Sequence, residues 1–165
     1  MRKSLEVVGL GMLCVLYWMT WAALQGPNRL PQRIPTHFDM AGNPNGWGPP
    51  NTLLLLPIIA TGTYLLITVL AGISTSFNYP VRITAQNLPF IQEQTRNMAS
   101  WIKVEMICLF AYIQSAIIEA ARSSAFHLSG LMIPVFMLVV FGTVGWYLVA
   151  IIRGAKVHED WPKLG

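Results

Sequence analysis

Three uncharged apolar runs, residues 7–24, 53–73 and 128–152, decide what this chain can become. They contain 18, 21 and 25 residues. As helices rising 1.5 Å per residue, each reaches roughly 27 Å or more, close to the ~30 Å hydrocarbon core of a bilayer. A water-soluble core in a chain of 165 residues does not need three such segments. Charged residues make up 11% of the chain, against about 25% in soluble proteins. The runs predict an all-α membrane protein.

A fourth span lies between the second and third runs. Residues 106–118, between Glu105 and Glu119, are uncharged but number only 13, too few to cross. Extending the segment to 102–121 gives a spanning length and sets both glutamates near the interfaces, where snorkelling or protonation makes them tolerable. The alternative is an amphipathic helix lying on the surface. Charge placement favours the span. With four spans and the amino terminus inside, Arg2, Lys3, Arg82, Arg96, Lys103, Arg153, Lys156 and Lys163 are cytoplasmic, and Arg29, Arg33 and Arg122 are outside. Eight against three obeys the positive-inside rule. Three spans would give five against six.

The expected architecture is a four-transmembrane-helix bundle with an ordered outer loop between helices 1 and 2. The whole chain, 1–165, reads as a single integral membrane domain with spans at about 7–25, 52–74, 102–122 and 128–152. The outer loop is 26–51 and the cytoplasmic loop 75–101, and both termini are cytoplasmic. The first run is too long for a signal-peptide core and lacks a good small-x-small site, so it reads as an uncleaved anchor. Trp18, Trp21 and Trp47 suit an aromatic belt at the headgroup level.

The outer loop is the densest in chemistry. Ile34, Thr36 and Phe38 would share one face of a short strand, with Pro35, His37 and Asp39 on the other. Residues 42–46, Gly-Asn-Pro-Asn-Gly, supply the turn, with Asn-Gly favouring positive φ. His37, Asp39, Asn43 and Trp47 are the candidate binding residues. His37 and Asp39 at i,i+2 suit a polar ligand, a divalent cation or an acid/base pair, and equally suit hydrogen bonding across the turn. One His and one Asp make no metal site, and no Ser or Cys nucleophile accompanies them. Cys14 and Cys108 fall within spans and read as small apolar fillers. No catalytic set, metal site, cofactor motif or nucleic-acid motif is legible, which argues against an enzyme.

Within the third span Glu105, Tyr112 and Glu119 recur every seven residues and so lie within about 40° of one another on the helix. They are the intramembrane polar candidates, expected to face the bundle interior. Glu105 would pair with a cytoplasmic base and Glu119 with Arg122, Arg29 or Arg33. Gln114, on the opposite side, can bond another helix. Upstream, Thr84 or Asn87 can cap a helix that accepts Pro89 in its first turn and runs unbroken into the span. That extension would present Glu93, Arg96 and Asn97 at the cytoplasmic surface, either as a docking surface or as a solvated face with Glu93 paired to Arg96 or Asn97 at i,i+3 or i,i+4. In the fourth span Gly142, Thr143 and Gly145 allow close helix approach and Pro134 kinks the outer turn. No internal repeat supports an inverted-repeat transporter.

The loop reads Leu30-Pro31, Ile34-Pro35, His37-Phe38, Gly42, Pro44 and Trp47-Gly48. In these positions it resembles the Leu-Pro-x-x-Ile-Pro-x-His-Phe-x-x-x-Gly-x-Pro-x-x-Trp-Gly signature of bacterial multi-pass membrane proteins defined by a domain of unknown function. Asn78-Tyr79-Pro80 and Trp101-Ile102-Lys103-Val104-Glu105 extend the likeness. The best-known relatives are larger immunity proteins that protect a spore-forming bacterium from its own secreted toxic peptide. The resemblance implies a multi-pass architecture in the bacterial cytoplasmic (inner) membrane. Two functional classes follow. One is a binding or accessory module whose outer loop recognises a peptide, a lipid or a membrane-protein complex. The other is a small transporter or membrane enzyme using Glu105, Glu119, His37 and Asp39. A pathway through four spans would then require an oligomer.

Overall fold

The structure is a computed structural model and describes residues 1–27, 29–73, 78–123 and 129–159, with 157–159 as backbone only. Leu128, the start of the third apolar run, Lys163 and the first residues of the expected cytoplasmic loop, 75–77, lie outside the described residues. Four helices form: α1 (Arg2–Gln25), α2 (Leu55–Gly72), α3 (Leu88–Arg122) and α4 (Met132–Glu159). All four are long and apolar enough to cross a membrane, α2 together with the 3-10 turn Pro50–Leu54 before it. The chain is a membrane protein of the expected helical class. Between α1 and α2 stands an antiparallel hairpin, β1 (Ile34–Phe38) and β2 (Pro44–Gly48).

The α3 helix is the centre of the bundle. At 35 residues it is about 52 Å long and outruns a ~30 Å hydrocarbon core. No glycine interrupts it, and Pro89 sits in the first turn, where its missing N–H breaks no bond. The helix therefore starts in the expected place. Asn87 occupies the cap position without capping: its side chain accepts from the Thr84 N–H (2.8 Å) and donates to the Arg82 carbonyl (2.9 Å), fixing the turn before the helix.

Contacts set the helix directions. Glu6, Met12 and Leu16 of α1 meet Lys103, Cys108 and Gln114 of α3, so these two run parallel. Tyr64 of α2 meets Glu6, and Thr61 meets Tyr17, so α2 runs against them. Thr143 of α4 meets Glu105 while Ile151 packs on Ile91, so α4 also runs against α3. The bundle is thus up-down-up-down.

Packing falls into three layers along α3. At one end Ile91 packs against Ile151 and Ala155 of α4. In the middle Ile107 meets Leu13, Leu16, Ala60 and Tyr64. At the other end Ile117 meets Ala23, Ile34 and Leu53, and so joins the hairpin to three helical segments. Gly9 permits the middle layer to close: a Cβ there would lie 3.2 Å from the Tyr64 ring and 3.7 Å from Ile107. Only 11% of the α4 span is buried against 33% for α3, so α4 is attached along one narrow stripe. Its many outward Leu, Val, Ile and Phe side chains suit lipid as their solvent.

Three expectations for α4 and its surroundings change. Gly142 and Gly145 have open space where a Cβ would point, so they do not mediate helix approach within the chain. Close approach occurs instead at Gly154, where an added Cβ would run into the Phe90 ring. Pro134 is the third residue of α4. The first four N–H groups of a helix have no intrahelical partner, so no ladder bond is lost there. Asn97, expected on the surface, is buried, and among the described residues neither it nor Arg96 pairs with Glu93.

Candidate functional site

The loop between α1 and α2 folds more tightly than its sequence pattern indicates. The hairpin register pairs Ile34 with Gly48, Pro35 with Trp47, His37 with Gly46 and Phe38 with Pro44, with irregularities on either side of His37. Those shifts break the expected alternation: Ile34 and Pro35 are both buried, while Thr36 and His37 are both exposed. The turn also moves. It spans 39–43, closed by Asp39 N–H to Asn43 O (2.9 Å) and Gly42 N–H to Asp39 O (3.0 Å). Gly42 takes the left-handed φ of 81° that favours glycine. Asn45-Gly46, expected as the turn, lies within β2. Gly46 is needed there because a Cβ would sit 2.9 Å from the Cβ of His37.

The four candidate residues share this hairpin in two groups. The Asp39 carboxylate accepts from the Asn43 N–H (2.8 Å) and the Asn43 side-chain amide (3.4 Å). The Asn43 N–H, followed by the Asn43 amide and the Ala41 and Gly42 N–H groups, holds the Asp39 carboxyl below the usual aspartate range. Asp39 and Asn43 therefore brace the turn. His37 donates from Nδ1 to Asn45 Oδ1, leaving Nε2 for another partner. Trp47 is half exposed and the Met40 side chain wholly so. His37 and Asp39 engage different partners and do not form an acid/base pair among the described residues.

The seven-residue stripe on α3 divides. The Thr143 hydroxyl donates to Glu105 Oε1 (2.5 Å), and Oε2 is buried with no hydrogen-bond partner among the described residues. The expected basic partner is replaced by an α4 hydroxyl. Tyr112 is exposed and borders, with Glu105, a groove of about 420 Å³ between α3 and α4. Glu119 is exposed and does not face the interior. Gln114, by contrast, is fully buried and donates to Leu16 O (2.9 Å) and Thr20 Oγ1 (3.0 Å) of α1, as its position predicts.

The strongest polar assembly was invisible in the linear pattern. Lys103, 4% exposed, donates to both oxygens of Glu6, at 2.5 and 2.6 Å. Ser100 donates to Glu6 Oε1 (2.7 Å) and the Tyr64 hydroxyl donates to Oε2. Lys103 also reaches Thr68 (3.2 Å) and lies 4.4 Å from the centre of the Tyr64 ring. Three further side chains, Ser100, Tyr64 and Thr68, thus complete the bonding of one carboxylate and one ammonium. The sequence signal was faint: Glu6 just before the first apolar run and Lys103 at the start of the span expected over 102–122.

Among the described residues no three of His, Cys, Asp and Glu gather as a metal site. The two cysteines are free and exposed on α1 and α3. Residues 12–61 match the family described as Domain of unknown function (DUF1648). The matched segment runs from α1 through the hairpin into α2, so it contains all four candidate loop residues. No curated protein and no solved structure matches the chain.

Proposed function

We propose that the protein is a membrane-embedded binding module whose outer hairpin captures an extended peptide segment of a partner. One observation carries this reading. The hairpin is rooted by buried Ile34 among Ala23, Leu53 and Ile117, yet it holds Met40, Trp47 and His37 outward. A tether between spans needs neither the root nor the display. Because β1 lies against α3, β2 is the strand turned away from the helices, and a sheet edge there can accept an added strand. Trp47 supplies an aromatic anchor and His37 Nε2 a polar contact. The signature residues lie within the matched segment, and the resemblance to immunity proteins directed at a secreted peptide fits a peptide ligand. The bacterial inner membrane, with both termini cytoplasmic and the hairpin outside, is the matching placement.

The transporter or enzyme reading has less support, since Glu105 is tied to Thr143 and Glu119 lies apart from it. A photo-reactive residue at the exposed position 40 in native membranes tests the proposal, with one at exposed Leu66 of α2 as control. A discrete peptide or protein adduct at 40, lost when His37→Ala and Trp47→Ala are added to the same labelled chain, is expected. Identical adducts at 40 and 66, or adducts unchanged by the double substitution, would refute the hairpin as the binding surface.

A further inference from the structure

At the end of the bundle opposite the hairpin, α1 and α3 converge with their basic residues. A hollow of about 530 Å³ is bordered by Arg2 and Lys3 of α1 and by Arg96 of α3, with Glu93 its one carboxylate. A second hollow of about 220 Å³ shares Arg2 and Arg96 and reaches inward to Lys103 and Glu6. Together they bring four cations and two carboxylates to one place. Glu6 cannot neutralise the arginines, because both its oxygens are already taken by Lys103, Ser100 and Tyr64. Among the described residues neither Arg2 nor Arg96 forms an ion pair, Glu93 included. Two guanidinium groups from separate helices therefore line the same hollow, and among the described residues neither is held by a carboxylate of the chain.

Depth fixes the class of ligand. Arg2 precedes the first residue of the apolar run, Val7, by five positions, which is about 7 Å along a helix. The headgroup layer adds roughly 5–7 Å to each side of the hydrocarbon core. Arg96 lies seven residues before Lys103, so α3 brings it out to a similar level. The planar guanidinium fork matches two oxygens of a phosphate at once. We propose that the hollow between Arg2, Lys3 and Arg96 is a phosphate-binding site at headgroup depth. Its ligand is the phosphate of an anionic lipid or of a small soluble phosphate ester. The Glu6–Lys103 assembly forms its floor, holding α1 and α3 at the spacing that lets both arginines reach one group. The site is independent of the hairpin and its peptide.

The test uses the full chain in nanodiscs of phosphatidylcholine, with and without phosphatidylglycerol. Native mass spectrometry reads retained lipid, and thermal melting reads stability. The wild-type protein should retain phosphatidylglycerol in preference to phosphatidylcholine. Each arginine near a membrane surface accounts for about fivefold in anionic-lipid affinity, so Arg2→Gln/Arg96→Gln should lose roughly 25-fold of that preference. Arg2→Lys/Arg96→Lys should keep part of it. Arg153→Gln, which removes an exposed charge from α4 outside the hollow, should leave the preference in place. Glycerol phosphate added to phosphatidylcholine discs distinguishes the sources. Protection from melting by glycerol phosphate, with no lipid preference, assigns the site to soluble esters, and lipid preference alone assigns it to the headgroup. The proposal fails if the wild-type chain responds to neither ligand. It fails equally if the double glutamine variant keeps the preference, or if Arg153→Gln loses it to the same extent. Should the glutamine variants not fold, the wild-type response and the lysine variant decide the matter.

Discussion

Lys103 is the residue on which most depends. Removing one partner of a buried ion pair leaves the other charge uncompensated, which typically costs about 3–5 kcal/mol. Lys103→Met should therefore lower the melting temperature sharply in nanodiscs, and Glu6→Gln/Lys103→Met should regain most of the loss. Equal melting of the single and double variants would show that the charges are not coupled. Gln114 is a smaller case. Its two bonds to α1 are offset by a buried Oε1 with no partner among the described residues. Interhelical hydrogen bonds in membranes average near 0.6 kcal/mol, so Gln114→Leu should cost about 1 kcal/mol or less by the same measurement. Asp39 adds a pH dependence. Its folded carboxyl titrates below the ordinary aspartate range. The turn is then stabilised above the unfolded value, and that stabilisation is lost as pH falls through the lowered one. Trp47 fluorescence should report loosening of the hairpin on acidification below the ordinary aspartate range. Asp39→Asn should remove the acid-linked component.

Among the elements, α4 is the one held by least. Its attachment to the start of α3 depends on the Phe90 ring lying against Gly154, so Gly154→Ala forces the ring out of place. Overpacking of this kind costs about 1–3 kcal/mol. Adding Phe90→Ala should recover part of the loss, since contacting positions are coupled. Gly142→Ala meets open space and should be neutral or slightly stabilising. Reversal of that order would mean that α4 packs through its glycines against something other than α3. The hairpin differs in kind, because it is fastened by the same layer that closes the ends of α1, α2 and α3.

At the scale of the whole molecule the alternating helix directions place Arg2 and the end of α4 at one end of the bundle and the hairpin at the other. The orientation proposed above rests on eight basic residues against three. Lys103 is neutralised by Glu6, and eight less one still leaves seven against three. With Cys14 and Cys108 replaced by Ala, membrane-impermeant thiol labelling in intact cells should reach Asn43→Cys and not Lys156→Cys. The opposite result would invert the topology and place the hairpin inside.

The four long apolar helices and the unbroken run of α3 were written in the sequence, because they depend on transfer of apolar residues and on local helix rules. Gln114 was legible for the same reason, as an isolated polar residue in an apolar span must find a partner. The register of the hairpin was not, since the irregularities on either side of His37 depend on how Pro35 meets Trp47 and His37 meets Gly46 across the strands. Nor was the pairing of Glu6 with Lys103, which are 97 positions apart. Each alone reads as an interfacial charge. Only the tertiary structure, by setting α1 parallel to α3 with Tyr64 and Ser100 beside them, turns two expensive charges into one satisfied site.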